Sequence, residues 1–183
     1  MTVVLRSDLI ILALFVTAEQ VGQFAAAQFL MVAMYLGAWL FGSIVLPQFT
    51  RLREHPIALD ALARRWARLF AAVLIPATLV LILVAPFAVR QMFGPEYAHS
   101  ARLLTLLLLA TPFVWLNSLY LHRAIALEDR NIHARIFGAA MILAAGASAL
   151  LAYKWGGTGI AVGAVARESG LFAVLATRTA GRS

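Results

Sequence analysis

Arg167 and Glu168 stand side by side in a stretch that is otherwise uncharged from 158 to 177, and of all residues in this chain they are best placed to do chemistry. An ionised side chain near the centre of a bilayer costs roughly 2.5 to 3.5 kcal/mol on insertion scales, so it needs a partner, an escape route or a wet cavity. The chemistry open to this pair is contact with an anionic headgroup or handling of a proton along a polar pathway; the plainer alternative is a structural interhelical salt bridge. Gly159, Gly163, Arg167 and Gly170 recur at i, i+4, i+8 and i+11, which puts Arg167 on a face of small residues that another helix can approach closely. Arg6 and Asp8 open the first apolar stretch. Two residues apart, they point about 200° apart on a helix and do not pair with each other. Arg6 can snorkel to the headgroups, leaving Asp8 as the inward-facing group. Thr111, Asn117 and Ser118 adjoin or follow Pro112 and can satisfy carbonyls freed by the proline or face water. The candidates for a substrate pathway are therefore Arg6, Asp8, Asn117, Arg167 and Glu168.

Other chemistry is not signalled. With zero Cys there are no disulfides or thiolate metal sites. His55, His99, His122 and His133 lie in loops or at the ends of apolar stretches without metal-ligand spacing. Neither H-E-x-x-H, a P-loop, G-x-S-x-G nor a paired acidic motif occurs. No cofactor, no metal and no catalytic residue are expected, and the chain is not read as an enzyme.

The elements that must position these residues follow from composition. Of 183 residues 63% are hydrophobic and 13% charged, with a mean hydropathy of +0.89. That leaves too little polar surface to coat a water-soluble globule. No Lys, Arg, Asp or Glu occurs across 20–50 or across 69–89. Either run, at about 1.5 Å per helical residue, crosses a hydrocarbon core of about 30 Å. Apolar windows bounded by charges and turn residues predict six spans at about 2–18, 24–47, 69–89, 103–122, 136–153 and 158–177, with turns at 19–22, at Gly94–Pro95 and at Gly156–Gly157. Residues 1–183 thus form a single all-α transmembrane domain, a polytopic bundle of six helices, and no cleavable signal peptide is expected at its start.

The net charge of +7 and a pI of about 11.0 do not point to nucleic acid, because the basic residues sit between apolar spans rather than in a continuous tract. Arg6, Arg51, Arg53, Arg64, Arg65, Arg68, Arg123, Arg130, Arg135, Arg178 and Arg182 fall on one side of the predicted topology, and Arg90, Arg102 and Lys154 on the other. The positive-inside rule then puts both termini and the 51–68 stretch in the cytoplasm. Within that stretch Leu59, Leu62, Trp66 and Leu69 share a helical face while Asp60, Arg64, Arg65 and Arg68 fall away from it, with Asp60 and Arg64 spaced to pair at i, i+4. It is either a cytoplasmic linker helix or a segment lying in the headgroup layer with its arginines on anionic lipid phosphates.

Proline and small residues shape the spans. Pro76 and Pro86 in the third span and Pro112 in the fourth are expected to kink their helices. Ala140, Ala144, Ser148 and Ala152 form a small-residue ladder for helix packing. Tyr97, Tyr153 and Trp155 are expected at one membrane boundary, Trp66 and Tyr120 at the other. Tyr35, Trp39 and Trp115 lie deeper, as packing residues.

In order and spacing these segments resemble a known family. Asp8-Leu9-Ile10-Ile11-Leu12, then Glu19-Gln20-Val21-Gly22-Gln23-Phe24-Ala25-Ala26-Ala27, then a long span ending in Pro47, resembles the start of the C-terminal half of polysaccharide biosynthesis proteins. These are the oligosaccharide-lipid flippases, including O-antigen and teichoic-acid exporters, of the superfamily that also contains the MATE multidrug transporters. Gly94-Pro95-Glu96-Tyr97-Ala98 before Leu103-Leu104 is similar to that family's outer loop before its tenth helix, and Gly156-Gly157-Thr158-Gly159-Ile160-Ala161 before Glu168 to the glycine-led start of its twelfth. The resemblance covers nearly the whole chain.

It implies the C-terminal half of a MATE-like transporter of twelve to fourteen helices in the bacterial plasma (inner) membrane. Two six-helix halves would surround a central cavity and flip an undecaprenyl-linked oligosaccharide by alternating access. Family members bind the anionic pyrophosphate-sugar headgroup with cationic cavity residues, for which Arg6 and Arg167 are the counterparts by position. Six helices alone would leave half of a polar cavity facing lipid. The expected partners are therefore the bilayer, the lipid-linked oligosaccharide, and either an N-terminal half or a second copy of the chain. Alternatives of other classes are a non-transporting remnant or assembly subunit, and a membrane enzyme acting on polyprenyl-linked glycans.

Overall fold

A computed structural model describes the backbone of residues 2–127 and 137–180 and the side chains of 8–127, 143 and 146–176. The described chain is helical, as the backbone must be where no water is present to satisfy its polar groups. Six helices follow in order: α1 (Thr2–Ala13), α2 (Ala18–Arg51), α3 (Pro56–Phe93), α4 (Ala98–Leu108), α5 (Thr111–Ala126) and α6 (Phe137–Ala180), with a 3₁₀ turn at Pro95–Tyr97. No strand occurs among the described residues. By length and apolarity three described helical stretches can cross a membrane, Ala18–Arg51, Pro56–Phe93 and Gly146–Ala176. A fourth joins them if the bent pair Pro95–Leu108 and Thr111–Ala126 is one span. This is a membrane protein.

Helices occupy all six expected positions, but several boundaries differ. The first is only 12 residues long, about 18 Å, and ends at Ala13 rather than Ala18. The turn expected at 19–22 is helical; the chain turns at 14–17 instead. Thr17 caps α2, its side chain accepting from Gln20 N–H at 3.4 Å, with Glu19 in the first turn where a carboxylate favours the helix dipole. Thr17-x-x-Gln20 has the spacing of a capping box, a start signal the apolar windows overrode. The basic stretch also differs from a separate segment: from Pro56 it runs without interruption into the third span as a single helix, through Pro76 and Pro86.

In the fourth span Pro112 does not kink a continuous helix. Helix α4 stops at Leu108, α5 begins at Thr111, and the two meet at 41°. Proline sits in the first turn of α5, where its missing N–H has no intrahelical partner to lose. The break is closed by short-range bonds from Leu109 N–H to Leu106 O (3.2 Å) and from Ala110 N–H to Leu107 O (3.0 Å). The Thr111 hydroxyl is buried with no partner, and Asn117 and Ser118 bond to other helices rather than to the break.

The expected turn at Gly156–Gly157 is present inside α6. Gly156 has φ 54° and ψ −137°, a combination open in practice to glycine alone. Around it the chain bends so sharply that a side chain at Gly159 would collide with the Leu151 carbonyl, and one at Gly163 would come within 2.9 Å of Leu151 Cδ1. Residues eight and twelve apart in a straight helix would be about 12 and 18 Å apart. The expected small-residue face is thus used at Gly159 and Gly163 against the preceding arm, while Gly170 has open space around it. Of the fifth-span ladder, Ser148 and Ala152 are buried; the side chains of Ala140 and Ala144 lie outside those described.

The turns segregate to two ends of the bundle. At one, Phe15 meets Tyr153 edge-on at 6.0 Å, Gly156 lies beside Val16, and Gly157 beside Phe24 and Leu103. At the other, Phe49, Leu52, Leu59 and Leu127 share an apolar cluster. Between them runs the main core, built from Leu12, Phe24, Met31, Tyr35, Val89, Leu103, Leu107 and Ile160. Phe41, Trp66, Phe70 and Trp115 interlock from three helices, with Phe41 and Phe70 at 4.5 Å. Trp115 and Tyr35 are packing residues as expected, but Trp39 faces outward, 54% exposed.

Candidate functional site

Each of four helices brings a polar residue from near the middle of its length to one place. Helix α1 supplies Asp8, α5 supplies Asn117, and the second arm of α6 supplies Arg167 and Glu168; α2 adds Tyr35. Arg167 Nη1 lies 3.5 Å from Asp8 Oδ2, and its Nε lies 3.4 Å from Glu168 Oε1. The Arg167 and Glu168 side chains are 13% exposed and that of Asp8 is 7% exposed. Asn117 Nδ2 donates at 2.9 Å both to the Glu168 backbone carbonyl and to Glu168 Oε2, fixing that carboxylate against α5. Tyr35 of α2 is buried near enough to interact electrostatically with Arg167, Glu168 and Asp8.

Four of the five candidate residues therefore converge. The fifth, Arg6, has a side chain outside those described. The arrangement does not match the expectation of a free arginine awaiting an anion: Arg167 is already held between two carboxylates. One guanidinium against two carboxylates leaves the cluster with negative charge in excess. Asn117 Oδ1 adds an acceptor that is buried with no hydrogen-bond partner. Such a site can accept hydrogen bonds from an incoming polyol, and an incoming anion would compete with the two carboxylates for Arg167.

Sequence reasoning missed three further polar contacts. Tyr35 was legible only as packing, because nothing in α2 shows that it comes within electrostatic range of Arg167. Gln23 ties two segments of the family-like pattern together. Its Oε1 accepts from Ser100 N–H at 3.1 Å and from Ser100 Oγ at 2.6 Å, while its Nε2 donates to the Glu96 carbonyl at 2.8 Å. A side chain from α2 thereby satisfies one of the free N–H groups in the first turn of α4. Third, Asp60 does not pair with Arg64 four residues on. Its carboxylate receives both Nε, at 2.8 Å, and Nη2 of Arg123 on α5. Arg64 is exposed and can be hydrated, whereas Arg123, 5% exposed, needs a counter-charge in place.

Helices α2 and α5 approach each other closely. The His122 ring occupies the notch left by Gly42, with Nδ1 2.7 Å from Ser118 O, and Ser118 Oγ donates to Ala38 O at 2.8 Å. Among the described residues no group of three or more His, Cys, Asp or Glu could hold a metal ion.

No curated protein and no solved structure matches the chain. A family model described as polysaccharide biosynthesis protein matches residues 1–102, which take in Asp8, Gln23, Tyr35 and the whole of α1 to α3. Asn117, Arg167 and Glu168 lie beyond the matched region. With more than half of its length matched, the chain belongs to the polysaccharide biosynthesis protein family.

Proposed function

We propose that this chain is half of a flippase, which moves a polyprenyl-linked oligosaccharide between the leaflets of a bacterial plasma membrane without changing it covalently. Family membership supports a role in polysaccharide synthesis or export. The observation that carries the finer reading is the charged cluster midway along α1, α2, α5 and α6, where ionised groups are costly to keep. A glycan carried on a diphosphate can engage both kinds of group in the cluster. Its hydroxyls donate to Asp8, Glu168 and Asn117 Oδ1, and its phosphate oxygens compete for Arg167. The Asp8 contact, at 3.5 Å and without a second hydrogen bond, is the one that gives way; its loss would remove the ion pair between α1 and the second arm of α6, which still share the apolar core of Leu12, Ile160 and Ala164.

The other components of this reading are a second six-helix body, either an N-terminal half or a second copy, and both termini on the cytoplasmic face. The latter is supported by the collection of Arg51, Arg53, Arg64, Arg65 and Arg68 near one end of the bundle.

The test is reconstitution of the chain, alone and with an N-terminal six-helix half, in vesicles holding a fluorescent polyprenyl-diphosphate oligosaccharide. Leaflet position is read with a membrane-impermeant quencher and chemical identity by mass spectrometry. Expected is a change of leaflet with the lipid unaltered, slowed at least tenfold by Arg167→Ala and by Glu168→Gln. A covalently altered lipid would mean an enzyme instead. Wild-type rates in both variants at normal protein levels would remove the cluster from the pathway, and no leaflet change in either form would reject the flippase reading.

A further inference from the structure

We infer that α3 carries, outside the central cluster, a seat for a single anionic phospholipid. A surface groove of about 600 Å³ runs between α2 and the start of the apolar part of α3. Its α3 wall presents Arg65, Trp66, Arg68, Leu69 and Ala72, and Gln48 of α2 lies opposite. Arg65, expected to fall away from the face of Leu62, Trp66 and Leu69, instead borders it in the groove: with Ala72 these residues recur at i, i+3, i+4, i+7 and i+10 and form one continuous stripe.

Depth fixes what the stripe meets. Residues 69–89 are free of charge and, in one helix, span about 31 Å, the thickness of the hydrocarbon core. Arg65 and Arg68 therefore sit at headgroup level, while Leu69 and Ala72 sit among the acyl chains. Both arginines are exposed, and neither has an ion-pair or hydrogen-bond partner among the described residues. Arg123, a few residues away in the fold, has Asp60 to itself. Two unpaired guanidiniums above an apolar trough match a molecule with a phosphate at one end and hydrocarbon at the other. A soluble phosphate would use only the upper part, and a neutral lipid would leave the arginines unmatched. This seat is separate from the proposed translocation pathway and holds whether or not the chain flips a glycan.

The test is native mass spectrometry of the full chain in detergent, titrated with phosphatidylglycerol or with phosphatidylcholine of the same acyl chains. Expected is retention of one phosphatidylglycerol with about tenfold stronger apparent affinity than phosphatidylcholine, a preference lost in R65Q/R68Q. The variant R51Q removes an exposed arginine outside the groove and should keep the preference. R65K/R68K, which keeps the charge, should retain part of it, and circular dichroism checks that every variant is helical. Equal retention of the two lipids, or equal loss in R51Q and R65Q/R68Q, overturns the proposal in favour of bulk surface charge. Retention of inorganic phosphate at millimolar concentration in place of lipid, or a dimer that excludes lipid, overturns it in favour of a soluble-anion site or a self-association face.

Discussion

Replacing Arg167 by methionine should destabilise the chain far more than replacing either of its carboxylate partners. The guanidinium lies 3.5 Å from Asp8 and 3.4 Å from Glu168. At an effective dielectric constant of about 20, one such contact is worth about 5 kcal/mol before desolvation is subtracted. Arg167→Met leaves two buried carboxylates with no counter-charge, the situation in which breaking a buried pair costs about 3 to 5 kcal/mol. Asp8→Asn leaves one guanidinium facing one carboxylate, a neutral pair, and should cost less than about 1 kcal/mol. Glu168→Gln should behave similarly, since the glutamine carbonyl still accepts from Asn117 Nδ2. The double variant R167M/D8N should recover about 2 kcal/mol relative to R167M, a coupling that a double-mutant cycle measures directly. Unfolding of the detergent-solubilised chain, followed by circular dichroism against the mole fraction of dodecyl sulfate, gives each free energy. If D8N proves as costly as R167M, or the two effects simply add, the cluster is not an unbalanced charge triad and the reasoning fails.

Three other outcomes follow from the geometry. Gly156→Ala, at φ 54°, should cost about 1 to 3 kcal/mol of stability, whereas Gly22→Ala, in a helix with open space around it, should be neutral or stabilising by up to about 1 kcal/mol; the same unfolding assay ranks them. Arg123→Met should cost about 3 to 5 kcal/mol by stranding Asp60, and Arg64→Met less than about 1 kcal/mol, the reverse of what local spacing suggests. Gln23→Ala removes every contact to Ser100 and Glu96 described above; hydrogen exchange at the Ser100 amide should accelerate at least tenfold while amides in the middle of α3 hold their protection.

Residues that break a pattern were the legible ones. Asp8, Asn117, Arg167 and Glu168 stand out because charge or amide in an apolar run is costly, and that cost forces partners whichever helices supply them. The Gly156–Gly157 turn was equally readable, since two glycines between apolar stretches permit a backbone few other residues can adopt. Pairing across the bundle was not readable. Asp60 has a good local partner in Arg64 and takes Arg123 instead, because burial, which decides which arginine most needs a carboxylate, is a property of the fold. Tyr35 and Gln23 are ordinary residues in ordinary places until α4 and α6 arrive beside them. Boundaries suffered from the same cause: apolar windows do not register that Thr17 can cap a helix, or that Pro112 will begin one rather than bend one.

The tight bend at Gly156 also bears on how the protein is made. The second arm of α6 carries Arg167 and Glu168 through the bilayer, each a burden of about 2.5 kcal/mol or more for a helix entering lipid singly. With Gly159 and Gly163 closing onto Leu151, the two arms form a ready-packed hairpin that enters lipid as one unit. Asp8 on α1 then pairs with the arginine. The second arm of α6 is thus tied to α1 by an ion pair that offsets part of the cost of carrying its charges in lipid.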